Sequence, residues 1–348
     1  MPEWRKDPVV ERWVVIATER SKRPTDFKTP PEEVDPLDCP LCVGNEDKTP
    51  PEIVAFREPG SKADQPGWWI RVVPNKFPAV RADERYYTWD EGVFQGMNGV
   101  GAHEVIVESP DHDTNLAGET DKQVEEVLWA WRERSLDLRK DSRLQYICIF
   151  KNKGRTAGAS LQHTHSQLIA TPMVPETIRE EINGVRSYHQ RKGSCVYCDM
   201  IQQELAQNQR VVIEGERFVS IVPYAARFPF EMWILPKEHQ HDFGQIVEAD
   251  VRDLAPVLRG SLAKLAGTVN DPPYNLALHT SPVNTGEELL YHWHFQLMPR
   301  LTIMAGFELG TGYYINPTPP ELAARELRDT PIISPRIVET LREEVQHV

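Results

Sequence analysis

The chain has 348 residues, 40% hydrophobic and 26% charged, an ordinary globular balance with enough apolar matter for the cores of two domains. Its formal net charge of −13 argues against a general nucleic-acid binder, which relies on basic surface, yet leaves room for a nucleotide held by a few local cations. The N-terminal MPEWRKDPVVERW has no apolar signal-like run, and nowhere do 18 apolar residues stand together, so a cytoplasmic protein without a membrane partner is expected.

Along the chain, the strand-like RWVVIA leads into TERSKRPTDF, where Arg20, Lys22 and Arg23 form either a solvated charge run or a phosphate clamp. The 29 prolines gather in segments such as KTPPEEVDPLDCP and NPTPPE, which read as ordered loops. Cys39 and Cys42 form a first C-x-x-C. VVPNKFPAV then sets Asn75 and Phe77 at a strand end, placed to hold a ribose, to stack on a base, or simply to end the strand. Strand-like HEVIV precedes ESPDHD, which carries His112. The pattern ETDKQVEEVLWAWRERSLDLRK reads as a helix with Thr120 as N-cap. LQYICIF follows as a strand, with Cys148 as a buried small hydrophobe. After the Gly-rich NKGRTAGAS comes QHTHSQLIATP, in which His163, His165 and Gln167 alternate and therefore point to one side of a strand.

The second half repeats this order. Cys195 and Cys198 form CVYC, FEMWI precedes LPKEHQ with His239, and the helical VEADVRDLAPVLRGSLAKLAG is interrupted by Pro256. YNLALHT then precedes HWHFQLMPR, with His292, His294 and Gln296. His163 lies 51 residues beyond His112, and His292 lies 53 beyond His239. Elements recurring in one order imply a duplication, with residues 1–180 and 181–348 as the two units.

Two thiolates and two imidazoles suit a closed tetrahedral zinc site. One set is Cys39, Cys42, His112 and His163; the other is Cys195, Cys198, His239 and His292. A redox role for the C-x-x-C pairs competes, though neither opens a helix in a thioredoxin-like setting. For the second half, a different metal site from His279, His292, His294 and a carboxylate such as Glu181 is the alternative. With the ligands committed, two structural zinc ions per chain are expected. His165 then stands beside the Gly-rich turn of Gly158 and Ser160, which can bring N–H groups and a hydroxyl to a phosphate. A neutral imidazole can attack phosphorus without first losing a proton, and Gln167 can donate to an oxygen as charge builds there. The C-terminal copy lacks the Gly-rich lead-in, so His294 reads as a relic or a packing residue.

The combination RSKRP, CPLC…GN, VPNKFPA, ESPDHD, NKG…AGAS..H.HSQ and HWHFQ, over about residues 4 to 325, resembles the galactose-1-phosphate uridylyltransferase family of the histidine-triad superfamily. The resemblance implies an α+β protein made of a tandem pair of histidine-triad-like domains, each an antiparallel sheet with helices packed on it, usually as a homodimer. It implies ping-pong transfer through a nucleotidyl-histidine at His165, with nucleotide and phosphate contacts at Arg20, Arg23, Asn152, Gly158, Ser160 and Gln167. The first zinc set matches, and Glu308 in MAGFELGTGYY matches a sugar-binding glutamate, with Tyr314 near it. The chain departs from the archetype at Thr164, Lys76 and Tyr314, where that pattern has proline, aspartate and glutamine. NDPPYN, LHTSP and GTGYYINP are similar to a plant branch that acts as an ADP-glucose phosphorylase and carries the second zinc set. The expected activity is thus nucleotidyl transfer from a nucleotide sugar or nucleoside diphosphate to a phosphate-bearing acceptor, foremost UDP-glucose–hexose-1-phosphate uridylyl transfer. An adenylyl-transferring relative is the alternative, and a non-catalytic zinc-braced nucleotide-binding module the third reading.

Overall fold

Short alternating runs fold as strands and the two long helical patterns as helices, in the order that the duplication implies. A computed structural model describes residues 3–6, 13–16, 36–83, 86–91, 94–97, 99–284 and 290–332; Arg20, Lys22 and Arg23 lie outside the described residues. The first half contributes β1 (Glu3–Lys6), β2 (Trp13–Ile16), β3 (Val54–Arg57), β4 (Trp68–Pro74), β5 (Thr88–Glu91), β6 (Phe94–Met97), β7 (Ala102–Val107), α1 (Asp121–Leu138), β8 (Tyr146–Lys153) and β9 (His165–Thr171). The second contributes α2 (Glu176–Lys192), α3 (Val196–Gln207), β10 (Val211–Glu214), β11 (Phe218–Ile221), β12 (Met232–Pro236), α4 (Glu248–Val269), β13 (Tyr274–His279), β14 (His294–Pro299), α5 (Gly306–Thr311), β15 (Tyr314–Asn316) and α6 (Pro320–Asp329).

The two halves share one sheet. Its ten strands run in the order β10-β11-β12-β14-β13-β8-β9-β7-β4-β3, so the halves mirror each other about the β13–β8 seam. That seam is antiparallel and pairs Asn275 with Asn152. Backbone groups that would otherwise form two exposed edges are thereby satisfied. The duplication supplies two matching five-strand sets, and edge pairing makes them one α+β layer.

One face of the sheet carries the main core. Ile106, Leu168 and Ala170 of the first half and Leu276, Phe295 and Leu297 of the second are buried in a single cluster with Val124, Leu128 and Trp131 of α1 and Leu254, Leu258 and Leu262 of α4. These spacings are the three- and four-residue steps of an amphipathic helix. Thr120 caps α1 by accepting from the Gln123 N–H at 3.0 Å. The α4 helix continues through Pro256. Arg139, just past α1, reaches Asp242 with two bonds of 2.8 and 3.0 Å, and the Asn284 amide donates to the Arg139 and Leu144 carbonyls at 3.1 and 3.0 Å. Asn284, a second-half residue, thus satisfies the carbonyl of the residue that caps α1 and one in the turn that follows.

The opposite face differs between the halves. In the second half, α2 and α3 cover it, and Val185, Val196, Tyr197 and Ile201 pack on Val219, Ile221, Trp233 and Leu235. In the first half a smaller cluster, Cys39, Leu41, Cys42, Trp68 and Val107, lies there. No helix among the described residues is long and apolar enough to cross a membrane.

Trp131 joins the core to the strand that bears His165, donating from its indole to the buried Ser166 Oγ at 2.7 Å. Trp131→Phe keeps most of the ring packing and leaves that oxygen without its donor. A loss of about 1–3 kcal/mol is expected, read as a lower midpoint in chemical unfolding.

Candidate active site and metal centres

Strand β9 sorts its side chains by parity. Ser166, Leu168 and Ala170 enter the core, while Gln167 and His165 take the other face with His163 just before the strand. The structure brings Cys39, Cys42, His112 and His163 together, all four buried, with one donor atom from each lying within 4.8 Å of the others. The Cys42 sulfur is 3.1 Å from His112 Nδ1 and 3.4 Å from His163 Nδ1. His163 Nε2–H donates to the Ser109 carbonyl at 2.8 Å, which leaves Nδ1 free to ligate. Burial, with Cys39 beside it, pushes the Cys42 thiol up to about 12. A divalent cation would reverse that balance, since thiolates bind it as anions. The donor set fits zinc.

Cys195, Cys198, His239 and His292 assemble likewise. The Cys198 sulfur lies 3.7 Å from His239 Nδ1 and 3.6 Å from His292 Nδ1. His292 Nε2 donates to the Pro236 carbonyl at 2.9 Å. Ser109 stands three residues before His112 and Pro236 three before His239, so the orienting carbonyl repeats too. The two histidine rings of each cluster meet edge to face, with centroids 5.4 and 5.3 Å apart. A third group, Glu181, His279 and His294, is also close enough to hold an ion, and it is separate from the cysteine cluster because His292 turns toward the sulfurs.

His165 is buried, and its Nδ1–H donates to the His163 carbonyl at 2.8 Å. Its Nε2 has no hydrogen-bond partner among the described residues. Burial first, and then the Lys151 ammonium behind it, push the imidazole below its ordinary range, so the ring stays neutral. The phosphate-loop candidates follow β8. Gly154 and Gly158 have φ of +80° and +91°, and a Cβ at Gly154 would come 2.9 Å from the Pro273 ring. The Asn152 Oδ1 accepts from Asn275 Nδ2 at 2.7 Å, and Asn275 also donates to the Ala157 carbonyl at 2.8 Å. A second-half side chain therefore braces both ends of the turn, a role without a local signal in the sequence. Ser160 is exposed beyond it.

Gln167 joins a polar group. Its Oε1 lies 2.9 Å from His103 Nε2 and 3.4 Å from Asn75 Nδ2. Phe77 is exposed next to Asn75, and the Lys76 ammonium lies 3.5 Å from the Lys48 carbonyl. Glu308 and Tyr314 are placed elsewhere, on α5 and β15. Glu308 accepts from the Ala305 N–H at 3.1 Å, and Tyr314 packs edge-on against Phe228.

The second-half counterpart is closed. His294 is wholly buried, in tilted ring contacts with Tyr197 and Trp233 at 5.0 and 5.1 Å, and burial pushes its imidazole down to about 3. Its Nδ1–H donates to the His292 carbonyl at 3.1 Å, as His165 does to His163. Its Nε2, however, accepts from the Gln296 amide at 3.1 Å, whose oxygen is taken by Arg227 at 2.5 Å. Burial opposes ionisation of Glu181, but His279, His294 and the Tyr291 hydroxyl together hold that carboxylate at about 2.

Sequence reasoning missed a buried ion pair beneath His165. Lys151 Nζ donates to Glu108 Oε2 at 2.5 Å, to the Thr164 hydroxyl at 2.9 Å and to the His165 carbonyl at 3.0 Å. The Thr164 hydroxyl donates to the same Glu108 oxygen at 2.7 Å, while Glu108 Oε1 is buried without a partner among the described residues. Thr164, one of the departures from the archetypal motif, is thus a member of this network. Lys151→Met strands the Glu108 charge and should cost about 3–5 kcal/mol, most of it recovered when Glu108→Gln is added. Chemical unfolding of the single and double variants reads this.

A model of the galactose-1-phosphate uridyl transferase N-terminal domain matches residues 1–175, and one of the C-terminal domain matches residues 181–331. The chain is 39% identical over 335 residues to the ADP-glucose phosphorylase of Arabidopsis thaliana, covering 94% of this chain and 93% of that one. It is 32% identical over 342 residues to the galactose-1-phosphate uridylyltransferase of Thermotoga maritima, covering 95% and 99%. Its structure is similar to that of the Arabidopsis ADP-glucose phosphorylase with bound ADP-glucose, with a TM-score of 0.80, 36% identity and coverage of 96% and 100%. The chain therefore belongs to the galactose-1-phosphate uridylyltransferase family and is an enzyme of the nucleotidyltransferase kind.

Proposed function

We propose that the protein transfers a nucleoside monophosphate by double displacement, with His165 as the nucleophile. The observation that carries this reading is the division of labour on one ring: Nδ1–H is committed to the His163 carbonyl, and Nε2 has no partner among the described residues. In the first step the Nε2 lone pair forms a bond to the α-phosphorus of a nucleotide sugar. The bond from that phosphorus to the bridging oxygen breaks, and the sugar 1-phosphate leaves with the electron pair. The ring sheds no proton, because Nδ1 keeps its own. In the second step a phosphate oxygen of the acceptor attacks the same phosphorus, and the P–N electrons return to Nε2.

Gln167, Asn152 and Ser160 are assigned to the phosphoryl oxygens, with Arg20 and Arg23 as further phosphate contacts; the Ala157, Gly158 and Ala159 N–H groups donate within the turn instead. Asn75 and Phe77 are assigned to the nucleoside. Glu308 and Tyr314 are assigned to the sugar side in a homodimer. Each Cys2His2 set would hold one structural zinc, which supplies cross-linking charge and no step of the reaction.

The family's description supports uridylyl transfer to galactose 1-phosphate, for which UDP-glucose is the donor we assign. A second reading, adenylyl transfer from ADP-glucose to phosphate, is supported by the higher identity to the Arabidopsis ADP-glucose phosphorylase, 39% against 32%. The unpartnered Nε2 speaks against a non-catalytic binding module.

Incubation with UDP-glucose or ADP-glucose followed by intact mass measurement should yield a covalent UMP or AMP adduct, and its mass names the base. The adduct should vanish in His165→Ala and persist in His294→Ala. Gln167→Ala should bind the donor and transfer roughly 10²-fold more slowly, as for one lost oxyanion donor. Metal analysis should find two zinc ions per chain, and cobalt substitution should give a sulfur-ligated tetrahedral spectrum at both sites. Cys195→Ser should lose one ion and lower the unfolding temperature more than the rate of adduct formation.

A further inference from the structure

We propose that His103 is a positioning residue that fixes which end of the Gln167 amide faces the phosphoryl group; this rests on the transfer reaction assigned to His165 and Gln167. An amide side chain presents either an acceptor or two donors, and only the donor end can stabilise an oxygen that gains negative charge. Something must therefore decide its orientation.

Two backbone N–H groups make that decision, since they can only donate. The Ala79 N–H meets His103 Nδ1 at 3.0 Å, so Nδ1 is the bare nitrogen and the neutral ring carries its proton on Nε2. That N–H points at the Gln167 amide 2.9 Å away, and the atom it meets is Oε1. Separately, the Phe77 N–H donates to Asn75 Oδ1 at 2.8 Å, which turns the Asn75 NH2 toward the same place. It lies 3.4 Å from Gln167 Oε1. His103 is thus the close donor of fixed identity to that oxygen, the Asn75 NH2 standing farther from it and 3.1 Å from His103 Nε2, and the Gln167 NH2 is left for the side of the strand that bears His165.

The register of the sheet explains why His103 can do this. Val105 of β7 lies opposite Gln167 of β9, so His103 is its diagonal neighbour on the same face. The closed second half repeats the device with another donor. There Arg227 takes Gln296 Oε1 at 2.5 Å, and the NH2 of Gln296 stands 3.1 Å from His294 Nε2. With its oxygen clamped, Gln296 turns its NH2 to the side of His294 Nε2, where Glu181 Oε1 also lies 3.3 Å from it.

The test measures the rate of nucleotidyl-adduct formation and the KM for whichever donor gives the adduct, in His103→Leu, Gln167→Ala and the double variant. His103→Leu should slow the step about 10-fold with KM changed less than about twofold, and should add nothing in the Gln167→Ala background. An equal further loss in that background would show that His103 acts elsewhere and would overturn the proposal. His103→Gln and His103→Glu keep the test sharp should the leucine variant fold poorly. The first retains a donor and should recover most of the rate, whereas the second offers only acceptors and should be as slow as Gln167→Ala. Equal rates in those two would also overturn it. A Gln167→Ala enzyme with the parent rate would instead remove the role of Gln167 on which the proposal stands, and full activity of His103→Leu beside a slow Gln167→Ala would sink the His103 assignment alone.

Discussion

His163 belongs to two systems at once, and the first half of the molecule is arranged around that fact. Its ring closes the Cys39–Cys42–His112 cluster, and its carbonyl, two residues before the nucleophile candidate, takes the Nδ1–H of His165 at 2.8 Å. A strand cannot move one of these without moving the other, because alternation places both side chains on the same face only a pleat apart. The metal cluster therefore need not touch the reacting atoms to matter. With an ion bound it would pin the loop Cys39–Cys42 and the turn at Ser109 and His112 to the head of β9, and the imidazole would inherit that rigidity.

The duplication shows the same cassette under two conditions. Both halves pair a ligand histidine with a carbonyl-bound histidine and a glutamine two residues further on. What separates them is cover. With α2 and α3 packed on it, the second-half face becomes an interior, and buried polar groups must pair there or be expelled. Arg227, Gln296, Glu181, Tyr291 and His279 accordingly satisfy one another around His294. Among the described residues no such helices cover the first-half face, and there His165 Nε2 stands without a partner. A vacant lone pair is affordable only where a ligand or solvent can reach it, which is why one copy suits chemistry and the other suits packing.

Much of this was legible in the chain. Cysteine and histidine spacing pointed to both candidate metal clusters, period-two alternation put His163, His165 and Gln167 on one side, and the repeated order of elements matches the two mirrored strand sets. What was hidden has a common cause. Period two states which face a residue takes, but register decides what stands across from it. Nothing local couples His103 to Gln167, Glu108 to Lys151, or Asn275 to Asn152; each contact exists because β7, β8, β9 and β13 pair in one alignment. Arg20 and Arg23, prominent in the sequence, lie outside the described residues, so their part rests on the motif alone. The halves' union into one sheet was equally invisible, since an edge strand and an inner strand of an antiparallel sheet read alike when both are partly buried.

The seam has a consequence for the phosphate turn. A glycine-rich loop gains access to phosphate by giving up side chains, and it loses order by the same choice, since glycine has the most conformational freedom to lose. Here the order is restored from outside. Asn275 holds the Asn152 amide and the Ala157 carbonyl, Pro273 fills the space a side chain at Gly154 would need, and Arg300 in turn bonds to the Asn275 oxygen. All three come from the second half. The copy that has buried its own histidine thus still contributes to the other copy's site, through the rigidity that its strands lend to a loop unable to supply its own.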